Sequence, residues 1–206
     1  MTMLVFALLA YLLGSVPFAV LSSWLFKLPD PRTYGSGNPG ATNVLRTGKK
    51  AAAILTLAGD AGKGWLAVVS AQHFAPQWAL GNEAIAIAAI AVFLGHVFPV
   101  FLRFHGGKGV ATAVGVLLGL NAWIGLLALA TWLLVAIVWR ISSLSALVAA
   151  VLAPIYTVAL IGFEINSLAV LIMSLILIWR HQSNIANLLA GEEGRIGEKK
   201  ASDPEE

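Results

Sequence analysis

The chain has 206 residues, of which 59% are hydrophobic and 11% are charged, and its mean hydropathy is +0.85. So few polar residues cannot cover a globule in water, so the composition excludes a soluble protein and indicates an integral membrane protein. The formal net charge is only +3, and the absence of cysteine excludes disulfides, cysteine-bound metals and thiol nucleophiles.

The positions of the basic residues predict the topology. All Lys and Arg residues except Lys63 fall in four clusters, at positions 27–50, 103–108, 140 and 180–200. If every cluster lies in the cytoplasm, as the positive-inside rule favours, the apolar stretches between them cross the membrane an even number of times. With a first span at residues 3–26, this predicts an all-α polytopic membrane protein with seven transmembrane helices, an outside N-terminus and a cytoplasmic C-terminus.

The apolar stretches also predict helix lengths. Pro17 predicts a kink in the first span, because proline lacks a backbone donor. Residues 51–102 and 141–179 are each long enough for two full spans. Residues 109–139 are too few for two spans of about 20 residues each, so two short helices are expected to meet near Asn121.

The chain is expected to hold one domain. Residues 1–193 carry all the apolar stretches and form a single transmembrane domain. Residues 194–206 are charged and almost without apolar side chains, which predicts a disordered cytoplasmic tail.

A polar, glycine-rich loop follows the first span, at residues 35–46. Gly35, Gly37 and Gly40 allow positive φ, so that successive N–H groups can form an anion-binding concavity. Short polar side chains stand between them and beyond, at Ser36, Asn38, Thr42 and Asn43. Arg46 adds a planar fork suited to phosphate. An ordinary turn needs four residues rather than twelve, so the loop favours a binding function over a simple turn.

Three ionisable residues lie inside predicted spans. Asp60 and Lys63 are three residues apart and therefore share one face of a helix. A lone charge at the bilayer centre costs about 2.5–3.5 kcal/mol, so the two are expected to pair with each other or with inward-facing partners. The sequence leaves two roles open for this pair, a structural ion pair and support of a functional site. His96, at the membrane end of its span, is expected to be a hydrogen-bonded structural residue.

A second polar segment leads into the first of the two short helices. Gly106, Gly107, Lys108 and Gly109 precede this helix, and Thr112 follows in its first turn. Backbone N–H groups at a helix N-terminus and the Lys108 ammonium then face the same side, which predicts a phosphate site. It is not a Walker loop, because Gly109 stands where Ser or Thr is required.

A third polar segment follows the last predicted span. His181 and Asn184 are three residues apart, share a helix face and can hydrogen-bond one polar ligand together. The alternative is an amphipathic helix that lies on the headgroups. Ser143 supplies a hydroxyl at the same membrane face, so the three segments are predicted to surround one cationic cavity.

These segments resemble the motifs of the PlsY family of bacterial inner-membrane acyltransferases. The matching residues are Ser36 to Asn43 with Arg46, Gly106 to Thr112, and His181 to Asn184 with Gly191 and Glu193. The resemblance extends from the first span to about Glu193. Two flanking positions differ from the family pattern: His105 stands where Lys is more common, and Asn187 where Arg is common.

The resemblance implies an enzyme that moves a fatty acyl group from acyl phosphate to glycerol 3-phosphate. The products would be 1-acyl-sn-glycerol 3-phosphate (lysophosphatidate) and inorganic phosphate, in the first acylation of phospholipid biosynthesis. It implies a multi-pass protein in the lipid bilayer of the bacterial inner membrane, with a cytoplasmic active site and a functional link to the enzyme that produces acyl phosphate. No cofactor, metal or nucleic acid is expected.

The residues and the resemblance together assign the site. The expected catalytic residues are Ser36, Arg46, Lys108, His181 and Asn184. The residues expected to bind the substrates or their phosphates are Gly37, Asn38, Thr42, Asn43, Gly106, Gly107, Gly109, Thr112 and Ser143. Asp60, Lys63 and Glu193 are expected to support the site.

The residues also constrain the mechanism. No histidine is followed five positions later by aspartate, so the His-x4-Asp motif of a different acyltransferase class is absent. Because acyl phosphate is a mixed anhydride with a good leaving group, we expect direct attack by the glycerol 3-phosphate hydroxyl. Lys108, Arg46 and the glycine amides would neutralise phosphate charge in the transition state. A substrate phosphate oxygen is preferred to His181 as the proton acceptor.

Two other classes of protein explain part of the sequence. A transporter for a phosphate-bearing metabolite would account for Asp60 and Lys63, but it predicts paired broken helices in related halves, and the sequence has no visible repeat. A scaffold that binds phospholipid headgroups would account for the basic loops but not for the glycines.

Overall fold

A computed structural model of the protein describes residues 2–197, which form ten α-helices joined by turns, loops and three short 3-10 helices. In chain order the helices are α1 (Thr2–Gly14), α2 (Phe18–Leu25), α3 (Ala41–Val44), α4 (Lys50–Phe74), α5 (Asn82–Val97), α6 (Val110–Leu120), α7 (Ala122–Trp139), α8 (Ser142–Ile161), α9 (Ile165–Arg180) and α10 (Gln182–Ala190). Most of the predicted tail, residues 198–206, lies outside the described residues. In its described part, the Ile196 N–H donates to the Arg140 carbonyl at 2.6 Å.

The predicted all-helical membrane architecture is confirmed. Among the described residues, five helical segments are long and apolar enough to cross a membrane, namely Thr2–Leu25, Lys50–Trp78, Asn82–Leu102, Ala122–Trp139 and Ser142–Ile161. A sixth is reached if α9 and α10, which are bent by 56° at His181, count as one span. By length and composition the described chain therefore has five or six candidate spans, compared with the seven predicted.

Two local predictions can be compared with the helix limits. The expected kink is present, because the first span is broken between α1 and α2 at Pro17. Of the two short helices expected, the first is short and the second is not. α6 has 11 residues, whereas α7 has 18 and is long enough to span. The two meet at Asn121 as predicted, where the Asn121 side chain accepts the Trp123 N–H at 2.9 Å and caps α7.

Small residues lie inside the bundle and large apolar residues lie outside. Alanines dominate the buried positions, while Ile137 and Leu134 of α7 are 74% and 64% exposed. Gly64 of α4 and Gly115 of α6 let these two helices touch, because a Cβ at either position would overlap a backbone oxygen of the other helix. Close helix contact through small residues is typical of membrane bundles, where lipid covers the large side chains.

Candidate active site

Polar side chains from distant parts of the chain meet at one end of the bundle. Lys108, just before α6, donates to the side-chain oxygen of Asn184 in α10. The Asn184 amide donates to Glu193 Oε1 at 2.6 Å, and the Ser143 hydroxyl donates to the same oxygen at 2.6 Å. The structure thus joins the second and third polar segments and the start of α8 in one hydrogen-bonded chain.

The glycine-rich loop reaches the same end of the bundle. The Thr42 hydroxyl lies 3.2 Å from the Ser142 hydroxyl, next to Ser143 at the start of α8. Ser36 and Thr42 are exposed at this end, whereas Arg46 is half-buried. All three predicted polar segments therefore lie around one region, as expected from the topology.

The conformation of the glycine-rich loop agrees with the prediction at two of its three glycines. Gly35 and Gly37 have φ of +57° and +66°, in the region that favours glycine. Glycine is required at position 35 for a second reason, because a Cβ there would lie 2.8 Å from Arg46 Cδ. Gly40 differs from the expectation. It is extended, with φ of −147° and ψ of 162°.

Asn43 shapes this loop from within. Its side-chain oxygen accepts the Ser36 N–H at 3.0 Å, and its amide donates to the carbonyls of Pro31 and Tyr34 at 2.6 and 3.2 Å. Because both amide hydrogens are used and the side chain is buried, Asn43 does not fit its assignment as a donor to substrate. It holds the Ser36 backbone in place.

Lys108 is a half-buried cation at the centre of the site. Burial lowers the pKa of its ammonium, and the nearby Arg180 charge lowers it further, whereas the Glu193 carboxylate opposes the shift. Gly109 follows it with φ of +90°, and a Cβ there would overlap the Phe93 ring. Glycine is thus required where the Lys108 segment turns into α6.

Thr112 lies below the site and not in it. The residue is fully buried and its carbonyl packs against Gly64 of α4. Its hydroxyl has no hydrogen-bond partner among the described residues. The assignment of Thr112 to phosphate binding stays a prediction, and packing of α6 on α4 buries this residue beneath the polar end.

His181 is buried at the junction of α9 and α10, just beyond the end of α9. Its Nδ1 lies 2.8 Å from the Leu177 carbonyl, which can only accept, so Nδ1 carries the proton and Nε2 is left as an acceptor. Burial lowers the pKa of His181 to about 4. The imidazole is therefore neutral at physiological pH.

Two residues that the sequence did not assign to the site also contribute. Arg180 donates to the Gly106 carbonyl at 3.2 Å, so α9 holds the loop that precedes α6. His96 touches the same loop, since its carbonyl accepts the Gly107 N–H at 3.1 Å. Arg180 adjoins His181 in the sequence, which was its only signal, while the sequence predicted only a hydrogen-bonded structural role for His96.

The predicted pairing of Asp60 and Lys63 is present. Lys63 Nζ lies 2.8 Å from Asp60 Oδ1 and donates to the Val16 carbonyl, at the break in the first span, at 2.9 Å. His96 Nδ1 approaches the same Asp60 oxygen at 3.3 Å. All three side chains lie in the helical bundle beneath the polar end.

An apolar groove between α6, α7, α8 and α9 adjoins the polar residues. Its lining includes Val110, Leu117, Ala146, Ala153, Val170 and Leu177. Val110 is two residues from Lys108, and the Leu177 carbonyl contacts His181. A charged region and an apolar groove are thus next to each other.

Comparisons with known proteins identify relatives along nearly the whole chain. A family model described as glycerol-3-phosphate acyltransferase matches residues 4–191. A glycerol-3-phosphate acyltransferase from Nitrosospira multiformis is 66% identical over 98% of this chain and 100% of its own length. Another from Nitrosomonas eutropha is 68% identical over 91% and 94%.

Solved structures agree with these relatives. The crystal structure of PlsY (YgiH), an integral membrane glycerol 3-phosphate acyltransferase, in its glycerol 3-phosphate form, has a TM-score of 0.87, and its lysophosphatidic acid form has a TM-score of 0.85. In each comparison the identity is 32% and 96% of both chains is covered.

Proposed function

The chain belongs to the glycerol-3-phosphate acyltransferase family, and from this we propose that its acyl donor is acyl phosphate and its products are lysophosphatidate and inorganic phosphate. The observation that carries the proposal is the Lys108–Asn184–Glu193–Ser143 hydrogen-bonded chain beside an apolar groove. Both substrates bear phosphate, and one bears an alkyl chain. A cationic region that adjoins an apolar groove accommodates all of these groups.

The reaction is a direct acyl transfer. The 1-hydroxyl oxygen of glycerol 3-phosphate attacks the acyl carbon, the bond between that carbon and the phosphate oxygen breaks, and inorganic phosphate leaves. Lys108, Arg46 and the amides of the glycine loops stabilise the negative charge that develops on phosphate. Ser36 and Asn184 orient the substrates from opposite sides of the site.

The hydroxyl proton goes to a phosphate oxygen of the substrate. The pKa of His181 is lowered to about 4, so its imidazole is a weak base. A phosphate monoester has a second pKa of about 6 and is the stronger acceptor near neutral pH. The neutral His181 instead accepts a hydrogen bond through Nε2 and orients the glycerol backbone.

The active site faces the cytoplasm of the bacterial inner membrane in this proposal. The starts of α4, α6 and α8 and the end of α9 carry basic residues at the polar end of the bundle. Counting α6 and α9 as membrane-inserted gives seven helical segments, with the N-terminus outside and the C-terminus inside. Residues 1–193 form the transmembrane domain, and residues 194–206 follow it in the cytoplasm.

Single cysteines test this orientation, because the chain has none of its own. In spheroplasts, an impermeant maleimide should label Phe163→Cys, between α8 and α9, and should not label Lys49→Cys, before α4, until the membrane is opened. The reverse labelling pattern would overturn the proposed orientation.

The donor is tested by supplying the purified protein with glycerol 3-phosphate and either palmitoyl phosphate or palmitoyl-coenzyme A. Lysophosphatidate and inorganic phosphate should form in equal amounts from palmitoyl phosphate. Product from the coenzyme A ester alone would overturn the proposed donor and leave the family assignment intact.

A further inference from the structure

A buried cluster lies beneath the loop of residues 106–109 and takes no part in the proposed acyl transfer. It consists of Asp60, Lys63 and His96, which are only 2%, 3% and 8% exposed. Asp60 Oδ1 lies 2.8 Å from Lys63 Nζ and 3.3 Å from His96 Nδ1. We call these three side chains the buried charge cluster.

Stability alone is a poor explanation for this cluster. The desolvation of two buried charges offsets most of their attraction, so an apolar replacement of similar volume is often as stable. Unlike apolar packing, an ion pair fixes the orientation of the polar groups next to it. The Asp60 carboxylate lies 3.3 Å from His96 Nδ1, and a carboxylate at this distance favours the tautomer with a proton on Nδ1 and a fixed orientation of the ring.

The His96 ring points at the loop of residues 106–109. A Cβ on Gly107 would overlap His96 Nε2, so the far edge of the ring occupies the space where a side chain of residue 107 would stand. The His96 carbonyl also accepts the Gly107 N–H at 3.1 Å. His96 thus contacts Gly107 through both its side chain and its backbone, one residue before Lys108.

The opposite side of the loop is held by α9. Arg180 donates to the Gly106 carbonyl at 3.2 Å. A small cavity lies between the loop and the buried charge cluster, lined by Gly106, Gly107, His96 and Lys63 and by Pro39 of the glycine-rich loop. The loop of residues 106–109 therefore contacts His96 through Gly107 and Arg180 through Gly106.

We propose that His96 is a positioning residue for the acyl transfer: oriented by Asp60 and Lys63, its ring fixes Gly107 and so places the Lys108 ammonium at the reacting phosphate. This inference rests on the proposed function. It extends that function to a residue that contacts the loop and not the substrates.

Paired substitutions test the contact directly. Gly107→Ala should collide with the ring and lower kcat/KM by on the order of 100-fold, the effect expected when a catalytic group moves by about 1 Å. His96→Asn keeps a donor for Asp60 but removes the far edge of the ring, so it should lower kcat/KM while the protein remains folded. The double variant Gly107→Ala with His96→Asn should recover activity relative to Gly107→Ala, because the methyl group enters the vacated space.

Thr157→Val is the matched control for loss of a buried hydrogen bond, since Thr157 is fully buried and its hydroxyl donates only within α8, to the Ala153 carbonyl at 2.8 Å. Its kcat/KM should equal that of the unmodified protein. His96→Ala is measured as well. If the alanine variant does not fold, the test rests on His96→Asn, which keeps a hydrogen-bond donor beside Asp60.

Glycerol 3-phosphate binding is measured beside turnover in every variant. An unmodified protein that binds glycerol 3-phosphate but makes no product from palmitoyl phosphate would overturn the proposed donor, and the variants would then be compared by binding. A folded His96→Asn protein with unchanged binding and turnover would overturn the positioning role. So would a double variant no better than Gly107→Ala.

Discussion

Lys108 donates its ammonium hydrogen bond to the side-chain oxygen of Asn184, although the two residues are 76 positions apart in the chain. The Asn184 amide in turn donates a hydrogen bond of 2.6 Å to Glu193 Oε1. The Lys108 ammonium is thus oriented by a neutral amide, and the amide is oriented by a carboxylate. The first five predictions concern this chain of contacts, His181 and the adjoining groove.

Loss of the Lys108 charge should remove most of the activity. A preorganised donor that stabilises developing charge contributes about 100- to 1,000-fold to turnover, so Lys108→Ala is expected to lower kcat by that factor. Lys50→Ala, at an exposed position at the start of α4, is the control and should retain full activity. Normal turnover by Lys108→Ala would contradict the electrostatic role.

Glu193 should matter through the hydrogen bonds that it accepts from Ser143 and Asn184. Glu193→Ala leaves the Ser143 hydroxyl and the Asn184 amide without their shared acceptor and should lower kcat/KM about tenfold, as expected for loss of a hydrogen bond to a charged group. Glu193→Gln keeps one acceptor oxygen and should lose less. The neighbouring exposed Glu192→Ala is the control, and an equal loss in that variant would contradict the role.

The pH dependence should show the lowered pKa of Lys108. The active form is the ammonium, which is lost as pH rises through its pKa, so activity should fall on the alkaline side at lower pH than an ordinary lysine with a pKa of about 10.4 would allow. Lys108→Arg keeps its charge throughout and should move this decline to higher pH. Measurement of kcat/KM from neutral to alkaline pH checks this, and an unchanged decline in Lys108→Arg would assign it to another group.

The acidic side of the same profile should not report His181. Because the pKa of His181 is lowered to about 4, it is already neutral at pH 5. An inflection near pH 6 would instead come from the substrate phosphate. His181→Gln is therefore expected to slow the reaction and leave the inflection in place, and its disappearance would make His181 the proton acceptor.

The preference for acyl-chain length should depend on the small residues at the far end of the apolar groove. Ala153 lies ten positions beyond Ser143 on α8, about 15 Å along the helix at 1.5 Å per residue. Ala153→Leu should lower kcat/KM for palmitoyl phosphate more than for decanoyl phosphate. Val151→Leu, on the exposed side of the same helix, should affect neither, and an equal loss for both donors in Ala153→Leu would place the chain elsewhere.

The sequence predicted the parts of the structure that depend on local patterns. Apolar stretches and basic clusters identified the helices, and Asp60 and Lys63 were paired because their spacing places them on one face. The Asn121 boundary followed from the length of its stretch. These predictions needed no knowledge of how the helices pack.

Contacts between distant segments could not be predicted from the sequence. Thr112 is buried because α6 packs on α4, and the Asn43 amide donates to the carbonyls of Pro31 and Tyr34. The contacts of His96 and Arg180 with the loop of residues 106–109 likewise arise only in the folded bundle. Side-chain type indicated that these residues were polar, whereas packing decided which partner each one has.

Direct transfer is tested most sharply by palmitoyl phosphate labelled with ¹⁸O at the oxygen that joins carbon to phosphorus. Attack of the glycerol 3-phosphate hydroxyl on the acyl carbon breaks the bond between carbon and this oxygen. Mass spectrometry should then find the label in inorganic phosphate and unlabelled lysophosphatidate. Labelled lysophosphatidate, or unlabelled inorganic phosphate, would contradict direct acyl transfer.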